Sequence, residues 1–352
     1  MIIVDSHLDL SWNALNWNRD LTRSVPEIRS SETGMVGQGR ARNTVAFPEM
    51  RQGEVAVCLA TVLARASNLG EALLDYRTRE IACAMAKGQV AYYRIMEAHG
   101  LLRMLKDWRS VETHLEEWKG GHSSPPPLGF ILSMEGADPI LTPGSVAEWW
   151  NDGLRVVGLA HFGLSAYAHG TGSAGGLTVR GRDLLKVMDE VGMVLDATHL
   201  SDDSFWEAVD IFSGPILASH SNCRSLVPGD RQFSDEQIRY LLGRGSVIGA
   251  VCDTWMLYPG WVAGETPNSV VTLEAVVDHI DHVCQLAGNT EHSAIGSDLD
   301  GGFGTEQSPC DLETIADLQK IPNLLRKRGY KEKDIEAIMH GNWLRFFETA
   351  WA

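Results

Sequence analysis

The chain has 352 residues, 44% of them apolar, and carries 46 acidic against 30 basic side chains for a formal net charge of −16. Such a length holds one large domain or two ordinary ones, and residues 1–352 are read here as a single domain. The acidity, with no compact Lys/Arg run, argues against nucleic-acid or anionic-membrane binding, and no apolar run reaches the ~18 residues that span a bilayer.

The first predicted strand, 2–7, opens in Met1-Ile2-Ile3-Val4 and runs into Asp5-Ser6-His7-Leu8-Asp9. Alternation puts residues i and i+2 on one face, so Asp5, His7 and Asp9 can point the same way from a strand tip. An imidazole and a carboxylate placed so can share a metal ion; the competing assignment is a pair satisfied by loop hydrogen bonds. A long excursion, 11–53, follows and is expected to contribute to a pocket rim. The second strand falls at 54–63. Residues 70–105 read as one long or broken helix, and Ser123–Pro127 (SSPPP) as a surface loop.

The third strand, 128–134, ends in Glu135 (PLGFILSMEGADP), and a helix is expected over 145–152. The fourth, 154–160, ends in His161. A helix over 181–192 leads to the fifth strand, 193–198, ending in His199. Ser201 starts a helix over 202–212 as an N-cap. The sixth strand, 215–219, ends in His220, and Ser234 starts a helix over 234–244. The seventh strand, 246–252, leads into an aromatic loop, 253–271, that reads as a lid, an oligomer contact or a packed surface loop. A helix over 272–287 and the eighth strand, 293–297, end in Asp298. Helices over 311–329 and 331–349 close the chain. Six cysteines, Cys58, Cys83, Cys223, Cys252, Cys284 and Cys310, form no CxxC pair. They read as reduced thiols in a cytoplasmic protein, and the first residues lack a secretory leader's basic and apolar regions.

Eight strands alternating with helices predict an α/β fold, a TIM-like (β/α)8 barrel. An open doubly wound sheet is the alternative, but the first strand ends in SHLDLSW where that fold usually carries a glycine-rich phosphate loop. In a barrel the carboxyl ends of all strands face one rim. His7, Asp9, Glu135, His161, His199, His220 and Asp298 then converge there from six strands. Three imidazoles and two carboxylates suffice for two zinc ions if one carboxylate bridges. Two such ions share a hydroxide whose pKa falls toward ~7, and a non-ligating Asp can carry the proton to a leaving group.

The stretches VDSHLDL, SMEGADP, LDATHLS, SHSN, DRQFSDEQI, GSDLDG and GNWLRFF occur in this order over nearly the whole chain. With them the chain resembles the membrane (renal-type) dipeptidase family of the amidohydrolase superfamily. The resemblance implies a zinc-dependent dipeptidase with two Zn2+ ions. It implies that His7, Asp9 and a bridging Glu135 bind the first ion, and Glu135, His199 and His220 the second. It implies that His161 stabilises the substrate's oxyanion, that Arg231 holds the terminal carboxylate, and that Asp298 activates water and protonates the departing amine. A small dipeptide is then the partner, a homodimer is possible, and no membrane anchor is expected. The alternative is a hydrolase of another small amide, such as an N-acyl amino acid, an L,D-dipeptide or a lactam, using the same binuclear site.

Overall fold

A computed structural model describes residues 1–66, 74–120 and 126–352. Nine strands are present among them: β1 (Ile3–Leu8), β2 (Val55–Leu63), β3 (Leu102–Met104), β4 (Leu128–Glu135), β5 (Leu154–Gly158), β6 (Val194–Asp196), β7 (Ile216–Leu217), β8 (Ile248–Ala250) and β9 (Ser293–Ile295). The helices are α1 (Leu10–Asn16), α2 (Val25–Ser31), α3 (Phe47–Gln52), α4 (Arg79–Ala98), α5 (Trp108–Lys119), α6 (Val146–Asp152), α7 (Val179–Val191), α8 (Asp202–Ile211), α9 (Asp235–Gly243), α10 (Leu273–Ala287), α11 (Ile321–Lys327), α12 (Glu332–Glu336) and α13 (Asn342–Ala350). The fold class is the expected one, α/β of the TIM-like barrel kind. Every strand–strand register that can be read is parallel, and β1, β2 and β4 are buried at every position. Strands covered on both faces must be apolar throughout, which is why they stood out as continuous runs.

The chain divides into two compact units, and β2 passes from one to the other. The first comprises residues 1–58 and 219–346. Its strands run in the order β2, β1, β9, β8, with Asp5 opposite Ile295 and Ile248 opposite Ser293. The GNWLRFF stretch locks the strand ends: the Asn342 amide donates to the carbonyls of Thr290 and Ser293, and the Trp343 indole to that of Ile295. The sequence suggested one helix over 331–349; the structure interrupts it with a π turn at Ala337–Gly341. The predicted helix over 311–329 is likewise a 3-10 segment, Ile315–Lys320, followed by α11. Pro322, in the first turn of α11, lacks the N–H that would continue the preceding ladder.

The second unit comprises residues 59–218 and 347–352, with strands in the order β7, β6, β5, β4, β2 and β3 beside the start of β4. Here the expected helix over 70–105 is corrected. Residues 70–73 lie outside the described ones; α4 occupies Arg79–Ala98, Gly100 takes a left-handed φ of 72°, and β3 follows. A left-handed residue past the last turn is how helices stop, and glycine adopts it without strain. Of SSPPP, residues 123–125 also lie outside the described ones. Sequence reading missed α5, although Asp107 and Ser110 form a capping box at its start. It foresaw the caps of α8 and α9, where Ser201 accepts from the Ser204 N–H and Ser234 from that of Gln237.

One buried histidine in the first unit sets a pH dependence of stability. His279 on α10 accepts a hydrogen bond from the Cys223 N–H at Nδ1 (3.0 Å). Burial, helped by His282 and opposed by a bond to the Met256 carbonyl, pulls its pKa down to about 3. A depressed imidazole pKa favours folding above the unfolded value near 6.5, because only the unfolded chain takes up the proton as pH falls. Stability should therefore drop on acidification from about pH 6.5 toward pH 3, by up to about 1.4 kcal/mol per pH unit. Denaturant titrations of wild type and His279→Gln across that range check this: the variant should show a shallower acid limb.

Candidate metal centre

In the first unit, β1 carries His7 to its end and Asp9 just beyond it; both are buried, as is His220 past β7. The His7 and His220 rings lie 3.6 Å apart, centroid to centroid. His7 Nε2 stands 3.8 Å from Asp9 Oδ1 and 3.7 Å from Asp298 Oδ1. Donor atoms of His7, His220 and Asp298 all lie within 4.8 Å of one another. Donors sharing a tetrahedral ion at about 2.0–2.2 Å stand about 3.3–3.6 Å apart. The observed separations are long for hydrogen bonds and close to that edge, so this donor set fits a divalent ion. At His220 the Ser219 hydroxyl holds Nδ1 (2.8 Å), fixing the ring and directing Nε2 to the site.

A buried polar frame holds these side chains. The Asp5 carboxylate accepts from Ser297 N–H (2.9 Å) and O–H (2.5 Å) and from the His7 N–H (3.2 Å). Burial pushes the Asp5 carboxyl upward, and the Ser297 donors oppose it. Asp5 thus fastens the residue before Asp298 to β1 instead of joining His7 and Asp9. The Asn13 amide donates to the carbonyls of Asp9 and Asp300, tying both loops together. Asp300 is buried and accepts from Thr44 N–H and O–H and Val45 N–H. Asp298 and Asp300 adopt φ of 57° and 61°. Left-handed backbone at non-glycine residues costs energy and persists where the surroundings enforce it, as this frame does. Gly249 and Gly296 admit the close approach of the Ser219 carbonyl; a Cβ on either would sit 2.1 or 1.9 Å from that oxygen.

Arg231 is buried, 3% exposed. Its guanidinium donates to the His220 carbonyl (2.9 Å) and to Ser221 Oγ (3.3 Å). The 253–271 loop includes a 3-10 turn capped by Asp253. Residues of this loop, together with Gly37, Gln38 and Arg42 of the excursion and Thr305–Gln307, line a cavity of about 960 Å³ in the same unit.

In the second unit, β4 ends in Glu135. Its Oε1 lies 3.1 Å from His199 Nε2 and 3.7 Å from His161 Nε2. The two imidazoles meet edge to face, with centroids 4.4 Å apart. His199, at φ 66°, is a second left-handed residue among the predicted site positions. Thr171 Oγ1 holds its Nδ1 (3.1 Å), so Nε2 faces the carboxylate. Asp138, three residues after Glu135, accepts from the N–H of Ala66 and of Ala166 and so spaces the segments around His161. Asn13, Arg65, Asp138 and Thr171 were missed by sequence reading; lone polar residues carry no periodic or spacing signal.

Seen unit by unit, His7, Asp9, His220 and Asp298 gather in the first, with Arg231 bonded behind His220. Glu135, His161 and His199 gather in the second. Among described residues no helix is long and apolar enough to cross a membrane.

The chain is 30% identical over 209 residues to an uncharacterized protein of Klebsiella pneumoniae, covering 59% of this chain and 72% of that one. It is 31% identical over 224 residues to a dipeptidase of Claviceps purpurea, covering 61% of this chain but only 49% of the fungal protein, about half its length. A crystal structure of a Rhodobacter sphaeroides metallopeptidase, liganded with a phosphinate mimic of the dipeptide L-Ala-D-Ala, shares the fold at a TM-score of 0.79 and 21% identity, with 100% of this chain and 99% of that one covered. The profile of the membrane dipeptidase family, peptidase family M19, matches residues 1–351. The chain belongs to that family and is a metal-dependent dipeptidase.

Proposed function

We propose that the chain hydrolyses free dipeptides with two zinc ions, one held by His7, Asp9 and Glu135 and the other by Glu135, His199 and His220. The observation that carries this reading is the pair of donor groups: buried imidazoles and carboxylates at ion-edge separations in the first unit, and Glu135 against His199 in the second. When bound, the ions supply the charge that polarises the scissile carbonyl and draws the pKa of a water toward ~7. Asp298 takes a proton from the attacking water and passes it to the departing amine as the C–N bond breaks. The His161 Nε2–H donates to the carbonyl oxygen as it becomes negative. Treating residues 1–352 as a single domain is part of this proposal. So is a cytoplasmic location, which the six free cysteines support. The homodimer that the resemblance implies is decided by light scattering.

The test is a hydrolysis panel of L,L- and L,D-dipeptides, N-acyl amino acids and lactams, before and after chelation. Free dipeptides should be cleaved, chelation should abolish the activity and zinc restore it. Turnover confined to the N-acyl amino acids or lactams would overturn the dipeptide assignment.

Substrate recognition gives a sharper expectation. A bidentate guanidinium suits the planar carboxylate that every free dipeptide carries. Arg231→Ala should raise KM about 10- to 100-fold for free dipeptides, the usual worth of hydrogen bonds to charge, and change it little for C-terminal amides. Equal losses on both would make Arg231 a prop for the His220 carbonyl.

A further inference from the structure

We propose that Arg65 is a positioning residue that fixes the tautomer of His161, with the proton on Nε2, so that His161 donates a hydrogen bond and does not ligate metal. This rests on the proposed role of His161 toward the substrate oxygen.

Arg65 follows β2 and is 2% exposed. Its Nη1 lies 2.9 Å from His161 Nδ1. A guanidinium has donors only and stays charged, so Nδ1 must present its lone pair. A neutral imidazole with a lone pair on Nδ1 has its proton on Nε2. Arg65 is itself held fast. Its Nε donates to Asp75 Oδ1 at 2.5 Å, its backbone N–H to the Leu74 carbonyl, and its carbonyl accepts from the Tyr76 N–H. Asp138 anchors both Ala66 and Ala166, setting the spacing between Arg65 and the loop after His161.

The contrast with the other histidines decides what His161 does. At His199 and His220 the group on Nδ1 is a hydroxyl, of Thr171 or Ser219. A hydroxyl, unlike a guanidinium, can accept an N–H, and that arrangement leaves the Nε2 lone pair for a metal. At His161 a cation takes that place and forces the opposite tautomer. Three imidazoles at strand ends, alike in sequence, are thereby divided into two ligands and one donor by what touches Nδ1. His161 Nε2 lies 3.7 Å from Glu135 Oε1, so the donor hydrogen is presented beside the carboxylate proposed to bridge the ions.

Long-range proton–nitrogen NMR of histidine-labelled protein, with His161 assigned through His161→Gln, reads the tautomer directly. The wild type, metal-free and zinc-loaded, should show an unprotonated Nδ1 and a protonated Nε2 at His161. An Nδ1–H pattern there would overturn the proposal without any Arg65 variant. Arg65→Met should lose the fixed tautomer and lower kcat by up to about 10², the share of one oxyanion donor, with KM and zinc content unchanged. Arg65→Lys, which keeps a charged donor, should restore the tautomer and most of kcat. An Arg65→Met protein that keeps the Nε2–H tautomer would also overturn the proposal. Failure of the underlying reading is separate: His161→Gln with unimpaired kcat would remove the oxyanion role, while the wild-type spectrum still judges Arg65.

Discussion

Glu135→Gln should lose both metal ions and at least about 10⁴ in kcat/KM. The size follows from a carboxylate proposed to serve two ions, where loss of a mere outer-shell partner costs 10–100-fold in affinity or activity. Glu135 ends a strand whose residues are all buried, and its Oε1 lies 3.1 Å from His199 Nε2. Glutamine keeps the shape and the burial, so far-ultraviolet circular dichroism should not change. It removes the negative charge and half of the acceptor capacity that bridging needs. Asp9→Asn is the comparison: Asp9 is assigned to one ion, so that variant should lose one equivalent and keep the other. Elemental analysis of the purified variants checks both. If Glu135→Gln retains two ions, or loses only one, Glu135 does not bridge.

Asp298→Asn should keep two ions and lose about 10²–10⁴ in kcat, the usual share of general acid–base catalysis. The geometry makes this a real contest. Asp298 Oδ1 is 3.7 Å from His7 Nε2 and lies within ligand range of His7 and His220. A carboxylate placed so can bind a metal or move a proton. We assign the proton because five other side chains are already proposed as ligands for two ions. The left-handed backbone at Asp298 and the fastening of Ser297 to Asp5 hold the carboxylate whichever role it has, so asparagine should sit in the same place. Loss of an ion together with activity would make Asp298 a ligand and require another group to carry the proton.

The strands and the strand-end donors were legible because burial on both faces writes a strand as an apolar run, and the donor that follows each run marks its end. His161 after Leu154–Gly158 and His220 after Ile216–Leu217 are found this way. What was not legible came from contacts between segments far apart in the chain. No pattern near Arg65 announces that it meets His161, 96 positions away. Asp300 gave no signal because its partners, Thr44 and Val45, lie in an excursion with no periodic pattern. The 70–105 stretch misled because helix period continues up to Gly100 and β3 is only three residues long, too short for alternation to show. The helices of the excursion and α5 were missed for a related reason. They are 6 to 12 residues long, and α5 carried its signal in its cap.

The central claim is that two ions, not one, make this chain a dipeptidase. Metal-free protein should be titrated with zinc while bound metal and dipeptide hydrolysis are measured on the same samples. The account predicts binding that saturates at two equivalents per chain, with full activity only after the second is bound. Saturation at one equivalent with full activity would contradict it.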